Sequence, residues 1–293
     1  MDRSTLSRLM PRRGVWRLIR HLLHRHQPIF LDYPVHFLPR YGYGNPPHSE
    51  LHHLLDRGRD DYRVLLGRCL EFAGTLATIP ARGHAASPEP AWINGFLPGL
   101  DSVALYTLLA VGNPERYVEI GSGNSTKLTR RAIRDHHLRT RIVSIDPRPR
   151  ADIDSIADEV IRRPLEKVDL TIVTSLRAGD ILFIDGSHRC FMNSDVTVTF
   201  LEILPRLSSG VRVQFHDIFL PYDYPPGWEG SYYSEQYLLA AYLLGGARGV
   251  RVLLPNAYVS EDPELRLILD PFWSRPGLEA VERHGCSFWL EIT

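Results

Sequence analysis

Cysteine is scarce in this chain. Its 293 residues hold three, Cys69, Cys190 and Cys286. They form no CxxC pair and are odd in number, which points to reduced thiols in a cytoplasmic protein rather than a disulfide framework. Long apolar runs are missing as well. A membrane-crossing helix needs roughly 18 apolar residues or more, and the most apolar stretch, Tyr237 to Leu244, is far shorter. The first residues lack the uninterrupted apolar core of a secretory signal. Net charge is also absent, with 34 Lys and Arg against 34 Asp and Glu. So balanced a chain gives no strong nucleic-acid signal, because phosphate binding calls for a cationic excess on one face. No internal repeat and no low-complexity tract is visible.

The length suits one large α/β domain with additions, or two small domains. Residues 1–26 carry seven Arg and a single acid, Asp2. Trp16, Leu18, Ile19, Leu22 and Leu23 give this arm an apolar face at rough helical spacing. Such an arm suits peripheral contact with an anionic membrane, or RNA, or docking on its own domain or on a partner subunit of a homo-oligomer. Residues 27–60, with Pro39-Arg40-Tyr41-Gly42-Tyr43-Gly44, read as an ordered loop. A helix is expected over Asp60–Ile79 and a looser linker over Arg82–Pro90. We therefore read 1–95 as an N-terminal extension and 96–293 as the main domain.

A buried helix at Val103–Val111 opens that domain. Short β-rich runs then alternate with helical ones. Strands are expected at Arg116–Ile120, Arg141–Ile145, Glu159–Ile161, Asp180–Ile184, Val211–Phe215, Val250–Leu254 and Ser287–Ile292. Helices are expected at Ser125–His136, Ile153–Ala157, Ser194–Leu204 and Glu235–Leu244. The alternation implies a parallel sheet with right-handed crossovers.

The first strand ends in Glu119-Ile120 and turns through Gly121-Ser122-Gly123. Ligands of open α/β sheets sit beyond the carboxyl ends of the strands. Glycines there admit a close ligand, and the next helix offers unpaired N–H groups with Ser125 and Thr126 beside them. A dinucleotide fingerprint needs a third glycine where Thr126 stands. Glu119 suits instead the cationic aminoacyl end of S-adenosylmethionine (SAM). Asp146, 23 residues past Gly123, has the spacing of an acid that meets a ribose diol. Glu166 follows the third strand, where an adenine edge would lie.

Together with Phe183-Ile184-Asp185-Gly186-Ser187-His188, Phe215-His216-Asp217-Ile218-Phe219-Leu220-Pro221 and Ser234-Glu235-Gln236-Tyr237-Leu238-Leu239, these motifs resemble class I SAM-dependent methyltransferases of the methyltransferase-24 type. The resemblance covers about residues 100–255. Upstream, Tyr41-Gly42-Tyr43-Gly44 and Trp92-Ile93-Asn94-Gly95 look like bacterial members of that branch. The resemblance implies a Rossmann-like, seven-stranded, mostly parallel sheet with helices on both faces and an antiparallel last strand.

Methyl transfer is a displacement at a sulfonium carbon, and an acceptor hydroxyl must lose its proton. His188 or His216 is a candidate general base, with Asp217 beside it. Alternatively, Asp185, His216 and Asp217 hold a divalent cation. Metal-dependent relatives such as catechol O-methyltransferase place acids at these strand ends. An imidazole in the set shifts preference from magnesium toward a transition metal. Asp185 is also placed to orient the SAM amino group. The aromatic loop Pro221–Glu229 overhangs the cleft as a substrate lid or a rigid wall. The expected activity is O-methylation of a small molecule or a glycan sugar unit. A dinucleotide oxidoreductase and a non-catalytic SAM-binding interaction module are the alternatives, with an RNA methyltransferase a minor reading.

Overall fold

The computed structural model describes residues 29, 31–33, 35–84 and 87–293. The chain divides into two compact units, Met1–Leu38 and Pro39–Thr293. The arginine-rich arm at 1–26 lies outside the described residues, and the described part of 29–38 forms no helix or strand. Among the described residues no helix is long and apolar enough to cross a membrane.

The second unit is built on a seven-stranded sheet of order β3-β2-β1-β4-β5-β7-β6. Its strands are β1 (Arg116–Ile120), β2 (Arg141–Ile145), β3 (Glu159–Ile161), β4 (Ile181–Ile184), β5 (Arg212–Phe215), β6 (Val250–Pro255) and β7 (Phe288–Ile292). The first five run parallel, and β7 is antiparallel to both β5 and β6. Central strands such as Ile181-Leu182-Phe183-Ile184 are buried on both faces, which is why they read as continuous apolar runs rather than alternating ones.

Among the described residues, five longer helices surround the sheet: α1 (Ser49–Asp56), α2 (Arg59–Cys69), α3 (Gly99–Gly112), α4 (Asn124–His136) and α5 (Glu235–Leu244). Helix α3 is apolar almost all round and buried from Gly99 to Leu109, so it is a core helix rather than a surface one. It packs on α4, while α2 packs on α3 and β6. Leu51, Leu55, Tyr62 and Leu66 thereby join the same hydrophobic core as the sheet.

Four expectations need correction. The loop expected over 27–60 gives way at Ser49 to α1, whose first turn is capped by the His48 side chain. The helix expected over Asp60–Ile79 breaks at Cys69 into a 3₁₀ turn and the short helix Ala73–Leu76. Ile153–Ala157 is a single turn closed by two bonds onto the Ile153 carbonyl; five residues are too few to sustain a helix without more packing than Ile153 and Ala157 supply. Ser194–Leu204 is not one regular helix but an α turn (Asp195–Val198), a π turn (Thr199–Ile203) and a 3₁₀ turn (Leu204–Arg206). Pro205 has no N–H and would press its ring on the carbonyl four residues back, so the ladder widens there.

Candidate active site

Strand register puts the candidate residues on one edge. Ile120 pairs with Ile145 and Ile184, and Ile184 pairs with Phe215. The next residue on each strand, Gly121, Asp146, Asp185 and His216, is held by one further rung, with N–H to carbonyl distances of 2.8–3.1 Å. Four chains therefore leave the sheet at one level, already fixed in place.

Gly121 is at φ +84°, and a Cβ there would collide with the Asp185 carbonyl oxygen. Glycine is what lets β1 and β4 turn past each other. At Gly123, by contrast, a Cβ would meet nothing within 4 Å. The fold leaves open space above that residue. Thr126 caps α4 by accepting from the Gly123 N–H at 3.0 Å, and Asp146 Oδ2 accepts from the Ser122 N–H at 2.8 Å.

Glu119 lies under this loop and is fully buried. Thr126, Ser125 and Tyr117 all donate hydroxyls to it, the last two at 3.0 and 3.2 Å. Burial pushes its pKa up to about 7, against the pull of those hydroxyls.

A cavity of about 260 Å³ opens above the loop. Ser122, Gly123 and Ser125 form its floor, Phe183 and Asp185 one side, and residues from 83–97 the other. The expected cofactor residues Glu119, Thr126, Asp146 and Glu166 do not line it; Glu166 sits in the 3₁₀ turn Leu165–Lys167.

Beside Asp185 lies a buried cluster of histidines and acids. His188 Nδ1 is 2.8 Å from Glu235 Oε2, and its Nε2 is 3.1 Å from Asp185 Oδ1 and 3.4 Å from Asp217 Oδ2. Its carbonyl accepts from the N–H groups of Ser234 and Glu235, which ties it to the start of α5. His216 Nδ1 is 3.2 Å from Asp217 Oδ1 and 3.8 Å from Asp185 Oδ1. Donor atoms of Asp185, His216 and Asp217 all lie within 4.8 Å of one another. Burial lowers the pKa of each ring, but their neighbours overcome it: Asp185 and Glu235 at His188, and Cys286 followed by Asp217, Asp185 and Asp101 at His216, hold both well above the usual histidine value. Burial raises Asp185 in turn, and the two rings bring it down to about 2. His188 and Asp217 both adopt positive φ, 57° and 56°, a conformation uncommon outside glycine and found at functional sites.

Residues 118–218, from β1 to the end of β5, match the model of a methyltransferase domain. The chain carries a class I methyltransferase domain. No curated protein matches the chain. The matched stretch contains the glycine loop, Asp146, Asp185, His188, His216 and Asp217, and the methyltransferase family implies SAM as the cofactor.

Much of what shapes this candidate site lies outside the matched stretch. The Asn94 side chain accepts from the Phe96 and Leu97 N–H groups and donates to the Ala91 and Leu97 carbonyls, all within 3.1 Å. It also accepts from Asn124 at 3.2 Å, which joins the 91–97 turn to the start of α4. Trp92 anchors that turn against Phe272 and Trp273. The Arg150 guanidinium lies 5.2 Å over the Phe96 ring at the cavity. Glu89 forks onto Arg134 at 2.5 and 2.7 Å, so this part of the expected linker is tied to α4. The sequence showed Trp92-Ile93-Asn94-Gly95 without giving it a role. Asp101 and Cys286, both buried beside His216, were missed for want of any local signal.

The Pro221–Glu229 loop is strongly braced. Asp223 accepts from the Arg40 and Tyr41 N–H groups at 2.6 and 2.9 Å and from the Tyr237 hydroxyl at 3.0 Å. Tyr224 stacks on Trp228 and meets Phe219, Tyr233 and Tyr237 edge-on.

Proposed function

We propose that this methyltransferase moves a methyl group from SAM to an oxygen of a small molecule or of a glycan sugar unit. One observation carries the reading: Asp185 belongs both to the cavity wall and to the His/Asp cluster. Cofactor seat and acceptor chemistry thus share a carboxylate.

SAM fits the residues present. The open space above Gly123 is a cradle that a Cβ would fill. The N–H groups at the start of α4 hold the carboxylate of the aminoacyl end, and Asp185 its amino group. Asp146 accepts one backbone N–H on each oxygen and keeps a further lone pair on each for the ribose diol. Glu119 acts through the loop it supports. Bound there, the cofactor supplies a methyl group made electrophilic by its sulfonium.

Asp217 accepts the hydrogen bond of the acceptor hydroxyl and takes its proton. His188 and His216, as imidazolium ions, keep Asp217 and Asp185 ionised and oriented, so in that form they are positioning residues rather than free bases. Tyr233, 4.7 Å from the His188 ring, has the Arg189 guanidinium 5.1 Å over its face and Trp228 edge-on beside it, a polar and aromatic wall suited to a phenol or a sugar. A divalent cation also fits on one count, because donor atoms of Asp185, His216 and Asp217 lie within 4.8 Å of one another. Asp185, Asp217 and His216 Nδ1 would hold it, and it would polarise the acceptor oxygen.

The test is transfer of labelled methyl from SAM to panels of phenols and glycans, with Asp217→Asn beside the wild type. We expect ether formation in the wild type and a loss of about 100-fold or more in the variant, with SAM affinity kept. SAM binding without methylation of any acceptor would favour the interaction module, and NAD binding in its place the oxidoreductase.

A further inference from the structure

The other edge of the His216 ring meets a different set of donors. Nε2 is 3.4 Å from Asp101 Oδ2 and 3.9 Å from Cys286 Sγ, and that sulfur is 3.5 Å from the same Asp101 oxygen. The three residues come from α3, the end of β5 and the run into β7, and their side chains are buried. We infer that Asp101, His216 and Cys286 form a seat for a thiophilic transition-metal ion of the zinc class.

The spacing is that of ligands around one ion. A triangle with these sides has a point about 2.1 Å from every corner, and zinc bonds run from roughly 2.0 Å to nitrogen and oxygen to 2.3 Å to sulfur. The thiol gives a second reason. It carries one proton, yet two carboxylate acceptors, Asp101 Oδ2 at 3.5 Å and Asp217 Oδ1 at 3.4 Å, both close on its sulfur. One weak S–H donor serves one acceptor. A cation at the centre meets Asp101, His216 and the thiolate at once, and the thiol proton goes to solvent as the metal–sulfur bond forms.

Outer partners hold these donors in place, as they do at metal sites. Asp101 Oδ1 accepts from Asn256 Nδ2 at 2.7 Å and from the Ser287 N–H at 2.9 Å. A Cβ at Gly285 would strike that same oxygen, so glycine lets the strand come in. Metal binding also displaces the Nε2 proton of the His216 imidazolium to solvent, and the proton left on Nδ1 lies 3.2 Å from the Asp217 carboxylate. A neutral imidazole has one lone pair, so the two edges of the ring are alternatives. On the Nδ1 edge, Asp185 and Asp217 already have His188 as counter-charge at 3.1 and 3.4 Å. Only the Nε2 edge offers sulfur, which selects zinc over magnesium. None of this depends on the acceptor of the methyl group.

The experiment uses the full chain with Cys190→Ser, because Cys190 is exposed. Metal content is measured after purification without chelator, and the metal-free protein is titrated with cobalt(II). We expect one bound equivalent, a sulfur-to-cobalt charge-transfer band in the near ultraviolet, and bleaching of that band by zinc. Cys286→Ser should remove the band and Asp185→Asn should keep it. Cobalt bound without a thiolate band, or no stoichiometric binding, overturns the inference. If Cys286→Ser fails to fold, the spectrum of the Cys190→Ser chain decides alone.

Discussion

Glu119→Gln should make the protein less sensitive to alkali. Glu119 is fully buried, and burial pushes its pKa from 4.5 up to about 7. Between these values the folded state holds a proton that the unfolded chain has released. Stability then falls as pH rises through that window and levels off above it. A shift of this size is worth about 3 kcal/mol at most, of which roughly 2.5 kcal/mol develops between about pH 5 and pH 8. Glutamine matches the protonated acid in shape, and the hydroxyls of Ser125, Thr126 and Tyr117 rotate to serve either group. Denaturant unfolding without cofactor measures the effect. Near pH 5 the variant should lie within about 1 kcal/mol of the wild type. Near pH 8 it should have gained on it by about 2.5 kcal/mol, or about 5–10 °C in Tm. A stability difference that stays constant from pH 5 to pH 8 would refute the claim that Glu119 is protonated in the folded loop.

Gly121→Ala combines a positive φ with a collision against the Asp185 carbonyl, and equilibrium unfolding should show a loss of about 2–4 kcal/mol. His188→Asn strands Glu235 in the core, with an expected loss of about 3–5 kcal/mol in the same assay. In the wild type the His188 contribution is complete below about pH 6.5 and disappears as pH rises through the ring's elevated pKa. Asp185 behaves in the opposite sense, its contribution complete above about pH 4 and lost as pH falls toward 2; stability curves at both extremes would show the two limbs. Asn94→Ala should weaken SAM binding about tenfold by calorimetry, because one side chain shapes the 91–97 turn and joins it to Asn124.

The strands were legible because each is a short β-branched or aromatic run bounded by turn residues, and the glycine loop because a strand end followed by Gly-x-Gly has few other uses. Asp146, Asp185 and His216 followed once the strand ends were known. Asp101 was not legible. It stands in the first turn of an apolar helix, where an acid normally faces water and the helix dipole. Its partners Asn256 and Cys286 lie more than 150 positions away, and only the packed fold brings them together. The split of the 194–206 helix did have a signal in Pro205, which the apolar periodicity outweighed. The histidines were visible as candidate bases, but the acids that turn them into buried cations come from four separate segments.

Strand β7 lies between β5 and β6 although it follows both in the chain. The ribosome therefore delivers an inner strand of the sheet after everything else around it. Until residues 286–292 emerge, β5 and β6 have no common neighbour and Asp101 lacks the Cys286 and Ser287 N–H groups that fix it. A nascent chain stopped short of that point contains the segments of the glycine loop and of the first six strands but not the residues that fix Asp101. The support of Asp101 is thus the part of the candidate site that translation reaches last, after every other strand of the sheet.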